Sequence, residues 1–165
     1  MSAAAWPAAP IRDRTGWRWV VELTLPGEPI PQGLYVPAVV FGGFAVSAGM
    51  TPRVDGRLMV VGTVGIDVSV QEAFAAAGLA AANALSAIVH AAGGLRNVMQ
   101  CLRMTVYIAC AANFVEHSAV ADGASAKLRE GLGDRGAVAR SAIGVASLPS
   151  GAPVEVELTA AVAMS

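Results

Sequence analysis

Arg140 is the residue whose setting most demands a chemical explanation. It lies in VARSAIGVASLP, residues 138–149, among neighbours that are mostly apolar or very small. A guanidinium stays charged at any physiological pH and is costly to bury without a partner, so its presence implies an anion. The strand-like segment that follows, PVEVELTAAVA, carries the carboxylates Glu155 and Glu157. Read as strands, the first segment puts Ile143 and Val145 on one face and Arg140, Ala142, Gly144 and Ala146 on the other. In the second, Val154, Val156 and Leu158 point one way and Glu155, Glu157 and Thr159 the other. If the aliphatic faces meet the helices, Arg140 and both glutamates are expected on the helix-free face. The intervening PSGAP reads as a hairpin turn. Closing that hairpin sets Glu155 opposite Ala146 and leaves Arg140 about six residues, roughly 20 Å, away. Arg140 and Glu155 of one chain are therefore expected not to touch. They meet only across a subunit interface, either as an ion pair between copies or as two sides of a cleft that holds an anionic substrate.

Other candidates carry less. His90 ends an alanine-rich helix and reads as a partner for the helix dipole. His117 follows Glu116 and is expected to be solvated. Two histidines far apart, without a Ser or Cys elbow, give no hydrolase triad. Cys101 and Cys110 lie nine residues apart in one strand-like run, which points them to opposite faces as two buried thiols and spoils a metal pair or a local disulfide. The glycines of FGGFAVSAG precede a strand and lack a P-loop lysine, so they are no phosphate loop. Arg53, Asp55 and Arg57 read as turn residues.

The elements that must position these residues follow from pattern. Residues 1–15 read as a flexible arm and 16–165 as a single domain. WRWVVELTL, residues 17–25, reads as a helix or an edge strand, and LPGEPIPQG then forces an irregular, extended passage. VPAVVFGGFAVSAG and GRLMVVG read as two strands joined through TPRVDG. Ser69 and Glu72 form a capping box, with Asp67 just upstream. Phe74, Ala77, Ala81, Leu85 and Ile88 then recur at helical spacing until Gly93-Gly94. The strand MQCLRMTVYIA follows, and then a helix from about Phe114 to the glycines 131 and 133, with Asn113 and Glu116 as a cap pair. The order strand-strand-helix-strand-helix-strand-strand points to an α+β fold, a single mixed sheet with two helices on one face.

Composition narrows the class further. The chain of 165 residues is 55% hydrophobic but only 14% charged, so surface left by folding is expected to be buried again in a homo-oligomer. Net charge is −1 with no basic run, which argues against nucleic acid as a partner. MSAAAWPAAP has neither a basic nor a long apolar signal region. The apolar stretch from Ala73 to Ala92 contains Asn83, Ser86 and His90 and reads as a close-packing soluble helix, so no membrane is expected and the cytoplasm is.

Three segments together resemble the Rid family of reactive-intermediate deaminases, also called the YjgF family and once labelled L-PSP endoribonucleases. LPGEPIPQGLYVPAVVFGGFAVSAGMTP is similar to the family's amino-terminal segment, with Tyr35 in place of its site tyrosine. AANALSAIVHAAGGLRNVMQCLRMTVYIA resembles its helix-strand middle. ARSAIGVASLPSGAPVEVELTA matches its signature of ARS, then LP, then an EVE strand. The resemblance implies a chorismate-mutase-like fold and a homotrimer with clefts between subunits. It implies hydrolysis of enamines and imines to a 2-keto acid and ammonia, without metal or organic cofactor. In that reading Arg140 holds the substrate carboxylate, Glu155 positions or activates water, and Tyr35 closes the pocket. Ala142 offers backbone contacts to the substrate. Ala48-Gly49 stands where the family usually has Ser-Gly, losing a hydroxyl unless Ser47 replaces it. Asp122 adds a negative charge where many relatives carry Asn. The lost hydroxyl favours an alternative, a trimeric binder or sensor of small carboxylates without turnover. A ribonuclease is disfavoured by the acidic balance.

Overall fold

The computed structural model describes residues 9–13, 16–20 and 25–164. Its core is a five-stranded mixed sheet with two helices on one face, as the pattern predicts. Strands β1 (Ala9–Asp13) and β2 (Gly16–Val20) form a separate antiparallel pair, so residues 16–20 make a strand outside the main sheet. Residues 9–13 of the expected arm form β1, and 1–8, 14–15 and 21–24 lie outside the described residues.

The run expected as one strand, 36–49, is instead a hairpin of β3 (Ala38–Phe41) and β4 (Phe44–Ser47). Gly42 and Gly43, with φ of 57° and 79°, supply the two positive-φ positions that such a tight turn needs. GRLMVVG contributes only β6 (Arg57–Leu58), paired with β5 (Arg53–Val54) around a turn at Asp55-Gly56. The expected count of sheet strands survives because the hairpin replaces this lost strand.

Helix α1 (Val70–Ala91) starts at the expected capping box: Glu72 N–H donates to Ser69 Oγ, and Ser69 N–H donates to the Glu72 carboxylate. Ala77, Ala81, Leu85 and Ile88 are buried, but Phe74 is 41% exposed. The reason is a backbone-to-backbone crossing with α2 (His117–Leu132), where a Cβ on Gly123 would overlap the Phe74 carbonyl. The helices meet through this contact, and the ring is left outside. Although α1 is long and apolar enough to span a membrane, 67% of that stretch is buried, as befits a core helix.

Strand β7 (Val98–Ala109) carries irregularities between residues 98 and 100 and between 101 and 103. The extra residue shifts the alternation, so Cys101 and Cys110 both lie on the helix side instead of opposite faces. Cys101 is buried and Cys110 only partly so. Helix α2 begins three residues later than expected, with Glu116 as an N-cap that makes no side-chain bond; Asn113 plays no capping part. Gly131 lies inside the helix, and Gly133 (φ 58°) ends it.

The largest departure concerns β8 (Ala139–Val145) and β9 (Val154–Val162). They do not form a hairpin: the sheet order is β3-β4-β9-β7-β8, with β8 parallel to β7 and β9 antiparallel to both β4 and β7. The crossover β7-α2-β8 returns the chain parallel to and beside β7, and β9 then fills the gap between β7 and β4.

Candidate functional site

Parity on β9 follows expectation. Val154, Val156 and Leu158 are buried under the helices, while Glu155, Glu157 and Thr159 stand on the open face. On β8 the expectation is reversed. Arg140 Nη1 donates to Asp122 Oδ1 at 2.8 Å and to Ser125 Oγ at 2.9 Å, both on α2. A Cβ on Gly144 would lie 2.7 Å from Nε2 of His117, at the start of the same helix. Arg140, Ala142 and Gly144 therefore face the helices, and Ile143 faces outward, 42% exposed. Helix α2 sits so close over β8 that the small residues go beneath it and the aliphatic one is displaced, inverting the usual rule.

Arg140 and Glu155 thus occupy opposite faces of the sheet. Along β7 their register partners are Met104 and Tyr107, and β7 lies between their two strands. That separates their backbones by about 10 Å along the strands and about 10 Å across them. The expected separation within one chain is present, but it comes from an interposed strand and opposed faces rather than from hairpin length.

Around Glu155 the structure gathers Gly49, Glu157 and Tyr107. Val156 and Met50 exchange backbone hydrogen bonds of 2.8 and 2.9 Å, which brings Gly49 against Glu155. A Cβ at Gly49 would overlap the Glu155 carboxyl group, so a larger residue there would have to displace that side chain. Burial, and then the charge of Glu157, push the Glu155 carboxyl above its ordinary range. Tyr107 Oη donates to Glu157 at 3.0 Å. Among the described residues the ion pairs are Lys127–Glu130 and Arg140–Asp122, and none of these residues supplies Glu155 with a cation.

Ser47 does not replace the missing hydroxyl beside Ala48. It is buried on the helix side, where its Oγ accepts the Leu158 N–H at 3.0 Å. Ala48 N–H donates to the Pro37 carbonyl at 2.8 Å, continuing the β3–β4 pairing by one residue.

Tyr35 and Gly49 share a cavity of about 620 Å³ with Thr51, Arg53, Asn83 and Lys127, walled on one side by residues 25–30. Tyr35 is half-exposed, and its Oη accepts the Gln32 N–H at 3.2 Å. The wall is tied to α1 by Ser86, whose hydroxyl donates to the Pro26 carbonyl at 2.7 Å. Asn83 Nδ2 donates to the carbonyls of Thr51 and Arg53, both at 3.0 Å. These two anchors were not anticipated, yet their signal was present as two polar residues, three apart, in an alanine-rich helix. Arg53 serves its turn by donating to the Gly56 carbonyl at 2.7 Å.

The candidate residues therefore form two groups: Tyr35, Ala48, Gly49 and Glu155 on the β4–β9 side, and Arg140, Ala142 and Asp122 at β8 and the α2 that covers it. A family model described as "YjgF/chorismate_mutase-like, putative endoribonuclease" matches residues 18–161. The chain belongs to the YjgF family. Protein TCP17 of Trypanosoma cruzi is 35% identical over 136 residues, 82% of this chain and 85% of that one. The crystal structure of Atu1372 from Agrobacterium tumefaciens, a protein of unknown function, has a TM-score of 0.79 at 34% identity, covering 87% of this chain and 88% of that one. A "putative endoribonuclease" structure from Shewanella oneidensis MR-1 gives a TM-score of 0.80 at 30% identity, covering 85% and 93%. The sheet and paired helices described above are the YjgF fold.

Proposed function

We propose that this YjgF protein is an enamine/imine deaminase that hydrolyses 2-imino and enamino acids to 2-keto acids and ammonia. The observation that carries the reading is the divided site. Glu155, an acid with raised proton affinity, sits behind Gly49, which lines the Tyr35 cavity, with no cation partner among the described residues, and Arg140 lies on the far face of the sheet. A homotrimer brings Arg140 of one copy to Glu155 of the next and makes each cleft complete. The open face supports that assembly, since Val39, Phe41, Phe44 and Val46 are exposed on it beside Glu155 and Glu157. The proposed setting is the cytoplasm, consistent with two free cysteines.

In this mechanism Arg140 leaves Asp122 and clamps the substrate carboxylate through its planar fork. The backbone at Ala142 continues the same groove. The imine carbon is already electrophilic, so the protein need only orient it and place one water, which Glu155 in its ionised form positions and deprotonates. The proton then passes to the departing ammonia.

The test supplies 2-imino acids generated in situ by an amino-acid oxidase and follows 2-keto acid release. Wild type accelerates release, and Arg140→Ala loses about 10- to 100-fold in kcat/KM, the worth of a charged hydrogen-bond clamp. No acceleration by wild type across several side chains overturns the reading. A second reading, a trimeric carboxylate sensor without turnover, is favoured by the spent hydroxyl of Ser47 and the missing one at Ala48. It predicts carboxylate binding that needs Arg140 but no release of keto acid.

A further inference from the structure

We propose that Cys110 and His117 form a thiol–imidazole site that captures small, neutral α,β-unsaturated carbonyl compounds as covalent adducts. This site is on the helix side of the sheet, apart from Glu155, and does not depend on the deaminase reading.

Four features of the geometry support it. Cys110 Sγ lies 3.5 Å from His117 Nε2, within hydrogen-bonding range for sulfur. The Phe114 ring packs edge-on against the imidazole, with centroids 5.1 Å apart and planes at 70°, and holds it in that orientation. Gly144 keeps the adjoining stretch of β8 bare, because a Cβ there would come within 2.7 Å of Nε2 and 3.1 Å of Sγ. Cys110 and His117 are both partly exposed and Gly144 is exposed, so a small molecule reaches the sulfur. The expectation of a solvated His117 is replaced by this packed pair. The cause is the regular alternation of β7 beyond residue 103: Met104, Val106 and Ile108 face the helices, and Cys110 follows in the same phase.

The chemistry uses both groups. Burial raises the Cys110 thiol above its ordinary range, so the sulfur needs a base beside it to act as a nucleophile. In the adding step sulfur bonds to the β-carbon while His117 Nε2 takes the thiol proton. The carbon–carbon π pair moves onto the α-carbon as an enolate, which then receives that proton from His117. Every atom of the acceptor is retained, nothing is oxidised and nothing leaves. The soft β-carbon suits a sulfur nucleophile. Glu116, preceding His117, favours acceptors without an anionic group.

The chain carries its own control. Cys101 is buried, with its thiol pushed up to about 11 by burial. The test treats the full-length native protein with N-ethylmaleimide and maps adducts by peptide mass spectrometry over time. One adduct forms at Cys110 and none at Cys101. His117→Ala slows labelling by about tenfold or more, in keeping with loss of a general base. His117→Gln, which keeps the polar volume but not the basicity, slows it likewise, and circular dichroism establishes that both variants fold. Cys110→Ser abolishes labelling without changing keto-acid release. Labelling of Cys110 at the Cys101 rate, or at the wild-type rate in either folded His117 variant, overturns the proposal.

Discussion

Replacing Asp122 by Asn separates a resting partner from a functional cation. Arg140 is only 20% exposed in its side chain, whereas Asp122 is 63% exposed, so their 2.8 Å contact is screened by water on one side. Such a pair is worth about 0.2–1 kcal/mol. A carboxylate entering the groove has to displace it, and in addition meets the negative charge of Asp122. Asp122→Asn removes the charge, keeps a neutral acceptor, and leaves the 2.9 Å bond from Arg140 to Ser125. The dissociation constant for a non-reacting 2-keto acid should therefore fall by about 1.5- to 5-fold, the range of that pair energy expressed as an equilibrium constant. Isothermal titration reads this directly. The gain should shrink at high salt, because the lost interaction is between partly solvated charges. Unchanged or weakened binding in Asp122→Asn would mean that Arg140 is not the group that holds the carboxylate. The same measurement serves the deaminase and the sensor readings alike.

The remaining predictions concern the other half of the site. Gly49→Ala places a methyl group where the Glu155 carboxyl sits and forces that side chain aside, so turnover should fall at least about tenfold while the thermal melt shifts little. Unaltered turnover would remove Glu155 from the mechanism. Glu157→Gln removes the second cause of the raised Glu155 proton affinity, leaving burial in place. The acidic limb of the pH profile of kcat/KM should then move to lower pH, and carbon NMR titration of Glu155 should move with it. Stability follows the same sign. The folded chain holds the Glu155 proton more tightly than the unfolded chain, so this contribution favours folding at low pH. It is lost as pH rises through the raised folded value, and Glu157→Gln reduces the loss. An acidic limb that stays put or moves upward contradicts the assignment of Glu157.

Periodicity and local chemistry made much of this protein legible in its residues. The capping box at Ser69 and Glu72, the buried alanine face of α1 and the alternation of β9 are decided by contacts within a few residues, so pattern reading finds them. The ARS–LP–EVE signature likewise identified the family before any coordinates. What pattern could not decide was which strands become neighbours and which face each turns inward. The assignment of Arg140 to the helix-free face assumed that bulky residues always lie under helices. Helix α2 instead closes on Gly144 and Ala142, and only the packed structure discloses so short an approach. The hairpin from β8 to β9 failed because a strand distant in sequence, β7, pairs with both. A shifted alternation on β7 also put Cys101 on the same face as Cys110, which no spacing count anticipates. Sequence alone determined that an arginine and a glutamate of one chain stay apart. The tertiary structure decided why, by setting β7 between their strands and placing the two side chains on opposite faces of one sheet.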